Sequence, residues 1–191
     1  WKTIHRTANP LPGAPLDIVS KWMLITRSYV FEMNIYAGIA GILLALQFVT
    51  EITSSMYYDG AIIIIGLILA HAANNMMNDF FDTLHGVDTE GYPRTEYGPH
   101  AIIDKLISTK GLILAIFFCN FIDLIIAVYF YQKVGLDILY FVFAGLGISI
   151  FYVAKPIRLK NLGLGEFAIG VVFGPLMVGG TFMALTGEPL G

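Results

Sequence analysis

Residues 61–91 read AIIIIGLILAHAANNMMNDFFDTLHGVDTEG. The beginning is as apolar as the middle of a lipid bilayer. Asn74, Asn75, Asn78, Asp79 and Asp82 then follow with no Gly or Pro among them, so nothing stops a helix from carrying on through them. On that helix His71, Asn75, Asn78, Asp79 and Asp82 fall within an arc of about 100°. Met76, Met77, Phe80 and Phe81 take the rest of the circumference. Carboxylates turned toward hydrocarbon cost several kcal/mol, so this polar stripe must face a cavity, other helices or an ion.

The rest of the chain agrees with a membrane setting. Of 191 residues, 57% are hydrophobic and 13% charged, against about 25% charged in a soluble domain. Apolar runs at 23–50, 58–82, 109–132, 135–154 and 163–186 predict five membrane helices, hence an all-α, polytopic transmembrane bundle. Ahead of them, residues 1–22 read as an arm broken by Pro10, Pro12 and Pro15. An interfacial helix starts near Asp17, with Trp22 at headgroup depth. Residues 23–191 form the membrane domain.

Three groups of cations fall on one side of these spans: Lys2, Arg6, Lys21 and Arg27; Arg94, Lys105 and Lys110; Lys155, Arg158 and Lys160. Lys133 stands alone on the other. That asymmetry predicts a cell-membrane protein whose N-terminus and 83–108 connection are cytoplasmic. A net charge of −3 argues against nucleic acid as a partner. The lone Cys119, inside an apolar run, reads as a packing residue.

Oxygen ligands from Asp79 and Asp82, with Asn75 beside them, suit a hard cation, and magnesium is typically held by one or two carboxylates together with substrate phosphates. Asp88 joins the set if the connection folds back. No Cys or His pair has zinc spacing, and His71 reads as an interior histidine. Arg27, Arg94, Lys155 and Arg158 lie on the same membrane side and are candidates for a diphosphate, arginine by paired contacts and lysine as a point charge. The same aspartates also suit a water-filled pore, an interhelical hydrogen-bond ladder, or a cation- or proton-coupled transporter. Glu32, Asn34, Asn120 and Asp123 are further intramembrane polar groups.

Residues 74–89, NNMMNDFFDTLHGVDT, resemble the first aspartate-rich motif of the UbiA-type intramembrane prenyltransferases, with Asn75, Asp79 and Asp82 at the motif positions. Residues 151–180, FYVAKPIRLKNLGLGEFAIGVVFGPLMVGG, resemble a second block of that family. GVDT in the first block and GLGE in the second are most similar to the naphthoate, menaquinone-pathway branch of quinone biosynthesis. The resemblance implies nine spans around a central cavity and a second aspartate-rich motif, expected beyond Gly191. It implies Mg2+ held by Asp79, Asp82 and Asp88, and a prenyl diphosphate held by Asn75, Arg27, Arg94, Lys155 and Arg158. The implied reaction transfers an isoprenyl group to an aromatic or other lipid-precursor acceptor, first of all a dihydroxynaphthoate, and releases pyrophosphate. Asn75, Asp79, Asp82, Tyr152, Lys155 and Arg158 are the implied catalytic set. The donor's tail would reside in membrane lipid with its diphosphate at the interface.

Overall fold

In hydrocarbon the α-helix is one of only two backbone forms that leave no polar group unsatisfied, so long apolar runs fold as helices. The structure is a computed structural model that describes residues 1–91 and 93–189, with the side chains of 93 and 94 outside that description. Every regular element among the described residues is helical. The order is α1 Lys2–Thr7, α2 Ile18–Ile25, α3 Glu32–Phe48, α4 Ser54–Leu84, α5 Pro93–Tyr97, α6 Thr109–Val134, α7 Asp137–Val153, α8 Gly165–Val171 and α9 Met177–Thr186. Short 3-10 turns at Ser28–Val30 and Leu159–Leu162 lead into α3 and α8.

Four stretches among the described residues are long and apolar enough to cross a membrane: Ser28–Phe48, Ser54–Leu84, Thr109–Val134 and Gly165–Thr186. The fifth expected span, α7, is apolar but has 17 residues. At about 1.5 Å per residue it falls a few ångströms short of a typical hydrocarbon core. Leu114, Phe117, Phe118, Phe121, Leu124 and Ile125 of α6 are exposed, and that apolar exterior belongs to an integral membrane protein.

The first span departs from its expected start at residue 23. Arg27 takes a left-handed conformation, φ 54° and ψ 46°, and breaks the apolar run into α2 and α3. Hydropathy alone does not register such a break, because residues on both sides of it are apolar. The last span also carries a local change. Pro175 sits in a π turn, Val172–Leu176, between α8 and α9. Proline brings no N–H to the helical ladder, and a widened turn accommodates the loss.

The chain divides into two compact units. One comprises Trp1–Phe31 with His71–Asn120. Here α2 starts at Asp17, whose carboxylate accepts the backbone N–H of Ser20 at 2.8 Å and the indole N–H of Trp1 at 3.0 Å. The Ser20 N–H, helped by the Trp1 indole and opposed by partial desolvation, holds the Asp17 carboxyl below its ordinary value. Asn9 Nδ2 donates to Tyr97 O at 3.0 Å, which ties the arm to the 83–108 connection.

The other unit comprises Glu32–Ala70 with Phe121–Gly191. Its core gathers Ile63 of α4, Phe130 of α6, Ile138 of α7, and Met183 and Ala184 of α9. Helices α3 and α9 meet at Gly41. A Cβ there would lie 2.6 Å from Thr181 Cβ and 2.7 Å from the Val178 carbonyl oxygen. Small residues permit such close approach between membrane helices. Asn34, fully buried, donates from Nδ2 to Leu67 O at 2.9 Å. Asp59 is also buried, pairs with Lys133 and accepts the Tyr129 hydroxyl at 2.7 Å. Lys133, the exception to the charge asymmetry, thus has a structural partner.

Candidate functional site

Helix α4 continues unbroken through the polar stripe to Leu84. Asn75, Asp79 and Asp82 are all buried, and Asp79 is only 1% exposed. Asn75 Nδ2 donates to the Thr26 carbonyl at 2.9 Å, so the residue that ends α2 is tied to α4. One residue on, the left-handed Arg27 sends its guanidinium to Asp79 Oδ1 through Nη2. The Arg27 Nε is buried without a hydrogen-bond acceptor among the described residues.

Just past α4 the chain reverses. The Asp82 carbonyl accepts the N–H of Val87 at 2.9 Å and that of Asp88 at 3.3 Å. This turn returns Asp88 to the site, where it too is buried. A second turn supplies His100, wholly buried. Its backbone N–H donates to Asp104 Oδ2 at 2.6 Å, and the Ala101 N–H faces Asp79 Oδ2 at 3.5 Å. The His100 ring nitrogen Nε2 lies 3.3 Å from Asp88 Oδ2 and 3.8 Å from Asp79 Oδ1. Asp79, Asp88 and His100 can each bring one ligand atom within 4.8 Å of the others.

The structure therefore gathers Asn75, Asp79, Asp88 and Arg27 in one place, adds His100, and leaves Asp82 buried on the same helix but outside that three-residue cluster. His71 is not one of that three-residue cluster, and its ring lies 5.9 Å from that of Phe31. The Arg94 side chain lies outside the described residues.

Tyr152, Lys155 and Arg158 belong to the other unit. Tyr152 covers Gly165, its hydroxyl 3.5 Å from where a Cβ would sit. Lys155 is exposed. Arg158 is left-handed, φ 53° and ψ 62°, and precedes the second 3-10 turn just as Arg27 precedes the first. Its Nε and Nη2 are buried without acceptors among the described residues. Asp123 Oδ1 is likewise buried without a donor among them, while Asn120 Nδ2 donates to Ile116 O at 2.8 Å.

His100 escaped sequence reasoning. It sits in a loop, and no helical spacing links it to the stripe. Only its position four residues before Asp104, which caps its backbone, hints at an ordered turn. The match of Arg27 to Asp79 was equally hidden, because the two are 52 residues apart.

Chemically the site offers carboxylate oxygens, a buried guanidinium and one imidazole. Carboxylates without water need a countercharge, and Arg27 provides it to one oxygen of Asp79. Asp88 and Asp82 supply further oxygens of the kind a hard divalent cation takes. The donor set fits such an ion, and the buried Arg27 Nε fits an anionic oxygen next to it.

A model of the UbiA prenyltransferase family matches residues 35–190. Over 179 residues the chain is 26% identical to "UbiA prenyltransferase domain-containing protein 1" of Dictyostelium discoideum, an alignment that covers 90% of this chain and 52% of that protein. The chain thus spans about half the length of the curated relative it matches. No solved structure matches it.

Proposed function

This chain belongs to the UbiA prenyltransferase family, and from that premise we propose that it forms part of a magnesium-dependent prenyltransferase. The reaction transfers an isoprenyl group from a prenyl diphosphate to an aromatic or other lipid-precursor acceptor and releases pyrophosphate. The observation that carries this reading is the buried meeting of Asp79 and Asp88 beside Arg27 at the end of a membrane helix. An amphiphile with a hydrocarbon tail and a diphosphate head suits a polar site at that depth: each buried methylene gains about 0.8 kcal/mol, while the head reaches charged groups.

Asp79, Asp82 and Asp88 would hold Mg2+, which when bound neutralises a diphosphate and makes it a better leaving group. Asn75 fixes the α2–α4 junction and so the position of Arg27. The Arg27 Nε–H binds an oxygen of the departing diphosphate. Arg94, Lys155 and Arg158 are further proposed diphosphate contacts, on the resemblance alone. Arg158 itself has a pair of buried donors in need of an acceptor. Tyr152 is assigned to the allylic fragment, whose developing positive charge an aromatic face stabilises. Exclusion of water by the buried site protects that fragment from hydrolysis.

A dihydroxynaphthoate is the proposed acceptor, on the resemblance of GVDT and GLGE to the naphthoate branch. The proposed setting is the cell membrane, with the N-terminus and the 83–108 connection cytoplasmic; residues 1–22 serve as its arm and interfacial segment and the rest as the membrane domain.

The test uses the full chain in lipid. Magnesium-dependent pyrophosphate release from a prenyl diphosphate is measured with a dihydroxynaphthoate and with a hydroxybenzoate. Asp79→Ala and Asp82→Ala should each lower it by about 100-fold or more. Near-normal release in either variant, or cation flux in liposomes without pyrophosphate release, overturns the reading.

A further inference from the structure

By distance alone His100 looks like a third ligand for a cation held by Asp79 and Asp88. Its other ring nitrogen says otherwise. His100 Nδ1 accepts the backbone N–H of Ile102 at 3.2 Å and that of Ile103 at 3.3 Å. A nitrogen that accepts two N–H groups carries no proton. In a neutral imidazole the proton then sits on Nε2, the nitrogen that faces Asp88 and Asp79. A protonated nitrogen has no lone pair for a metal.

We propose that His100 is a positioning residue for the carboxylates: it presents an N–H edge to Asp88 and Asp79 and does not ligate the cation. This rests on the reading of Asp79, Asp82 and Asp88 as a cation site. The turn that follows His100 is built to hold that tautomer. Asp104 anchors its backbone N–H, and the Ile107 N–H closes back on the Ala101 carbonyl at 3.2 Å. The N–H groups of Ala101, Ile102 and Ile103 thereby point inward together, the first to Asp79 and the next two to the imidazole. The ring nitrogen Nε2 is buried and meets neither carboxylate in line, so it has no formed hydrogen bond among the described residues. It lies between the two acids and shares one positive edge with both. That eases their repulsion and sets the gap across which they can share an ion. A neighbour that orients ligands in this way typically changes metal affinity by about 10–100-fold.

Two measurements decide it. The first is the imidazole nitrogen spectrum of the metal-free protein in lipid nanodiscs, with the His100 signals assigned by their loss in His100→Gln. The Nε2–H tautomer is expected; the Nδ1–H tautomer overturns the proposal. The second uses Mn2+ as a paramagnetic probe and looks for modulation of its spin echo by a directly bound imidazole nitrogen. No such coupling is expected in the bound ion, and finding it overturns the proposal. If Mn2+ does not bind at all, the cation-site reading fails, while the tautomer measurement still decides the role of His100.

Variants add a check that loss of folding alone does not mimic. Gln places an N–H where Nε2–H stood, so His100→Gln should keep Mn2+ affinity within about threefold, whereas His100→Leu should weaken it by about tenfold or more. Equal losses in the two variants overturn the proposal.

Discussion

Arg27 shows how one backbone conformation arranges chemistry. Its left-handed φ is uncommon for a residue with a side chain, and it aims the guanidinium at a carboxylate that is 1% exposed. Removing one partner of a buried ion pair costs about 3–5 kcal/mol, because the other charge is stranded. Arg27→Met should therefore lower stability by several kcal/mol in denaturant titrations. The double variant Arg27→Met, Asp79→Asn should recover most of that loss, and a coupling near zero would mean that the pair contributes nothing. At this scale the stripe of Asn75, Asp79 and Asp82 was legible, because helical spacing fixes which side chains share a face. The partners Arg27 and His100 were not, since neither stands in a periodic relation to the stripe.

Among the elements, α3 carries two glycines with different duties. A Cβ at Gly41 would strike the Val178 carbonyl oxygen at 2.7 Å, and a backbone atom in a packed helix cannot retreat. At Gly38 the obstacle is the tip of the Ile64 side chain, which can turn aside. Gly41→Ala should thus destabilise by about 1–3 kcal/mol. Gly38→Ala should come out near neutral, its clash offset by about 1 kcal/mol of helix propensity. Equal unfolding midpoints for the two variants would contradict this packing. On the facing pair, Lys133→Met strands the Asp59 charge, whereas Tyr129→Phe removes one hydrogen bond. The lysine is about a third exposed, so its loss should cost about 2 kcal/mol. The tyrosine change should cost about 1 kcal/mol. The Asp17 cap on α2 has a pH signature as well. Its carboxyl is held below the ordinary 3.8, so its stabilisation is complete above that value and lost as pH falls through the lowered one. Asp17→Ala should destabilise α2 at neutral pH and make helix unfolding less sensitive to acid there. Element existence and type were legible from apolar runs; the break at Arg27 and the π turn at Pro175 were not evident, because the short polar stretch 26–28 and the single proline are each flanked by apolar residues.

For the whole molecule the open quantity is orientation in the bilayer. Cations crowd one set of connections, and a bilayer retains such loops on the cytoplasmic side. On a Cys119→Ser background, Glu90→Cys and Glu51→Cys place single thiols at exposed positions in the 83–108 connection and in the α3–α4 connection. A membrane-impermeant maleimide should label the Glu51→Cys protein in intact cells and the Glu90→Cys protein only after permeabilisation. The reverse pattern would invert the topology.

Sequence by itself determined that the chain is helical, lies in lipid, and carries acids on one face of its second span. Those features are local: they follow from the cost of polar groups in hydrocarbon and from about 3.6 residues per turn. Only the tertiary structure decided that Asp88 folds back beside Asp79, that Arg27 pairs with Asp79, that the imidazole of His100 lies between Asp79 and Asp88, and that Lys133 finds Asp59. Each of these joins residues that no helical period relates. Their meeting depends on how turns reverse the chain and on burial, which makes an unpaired charge costly.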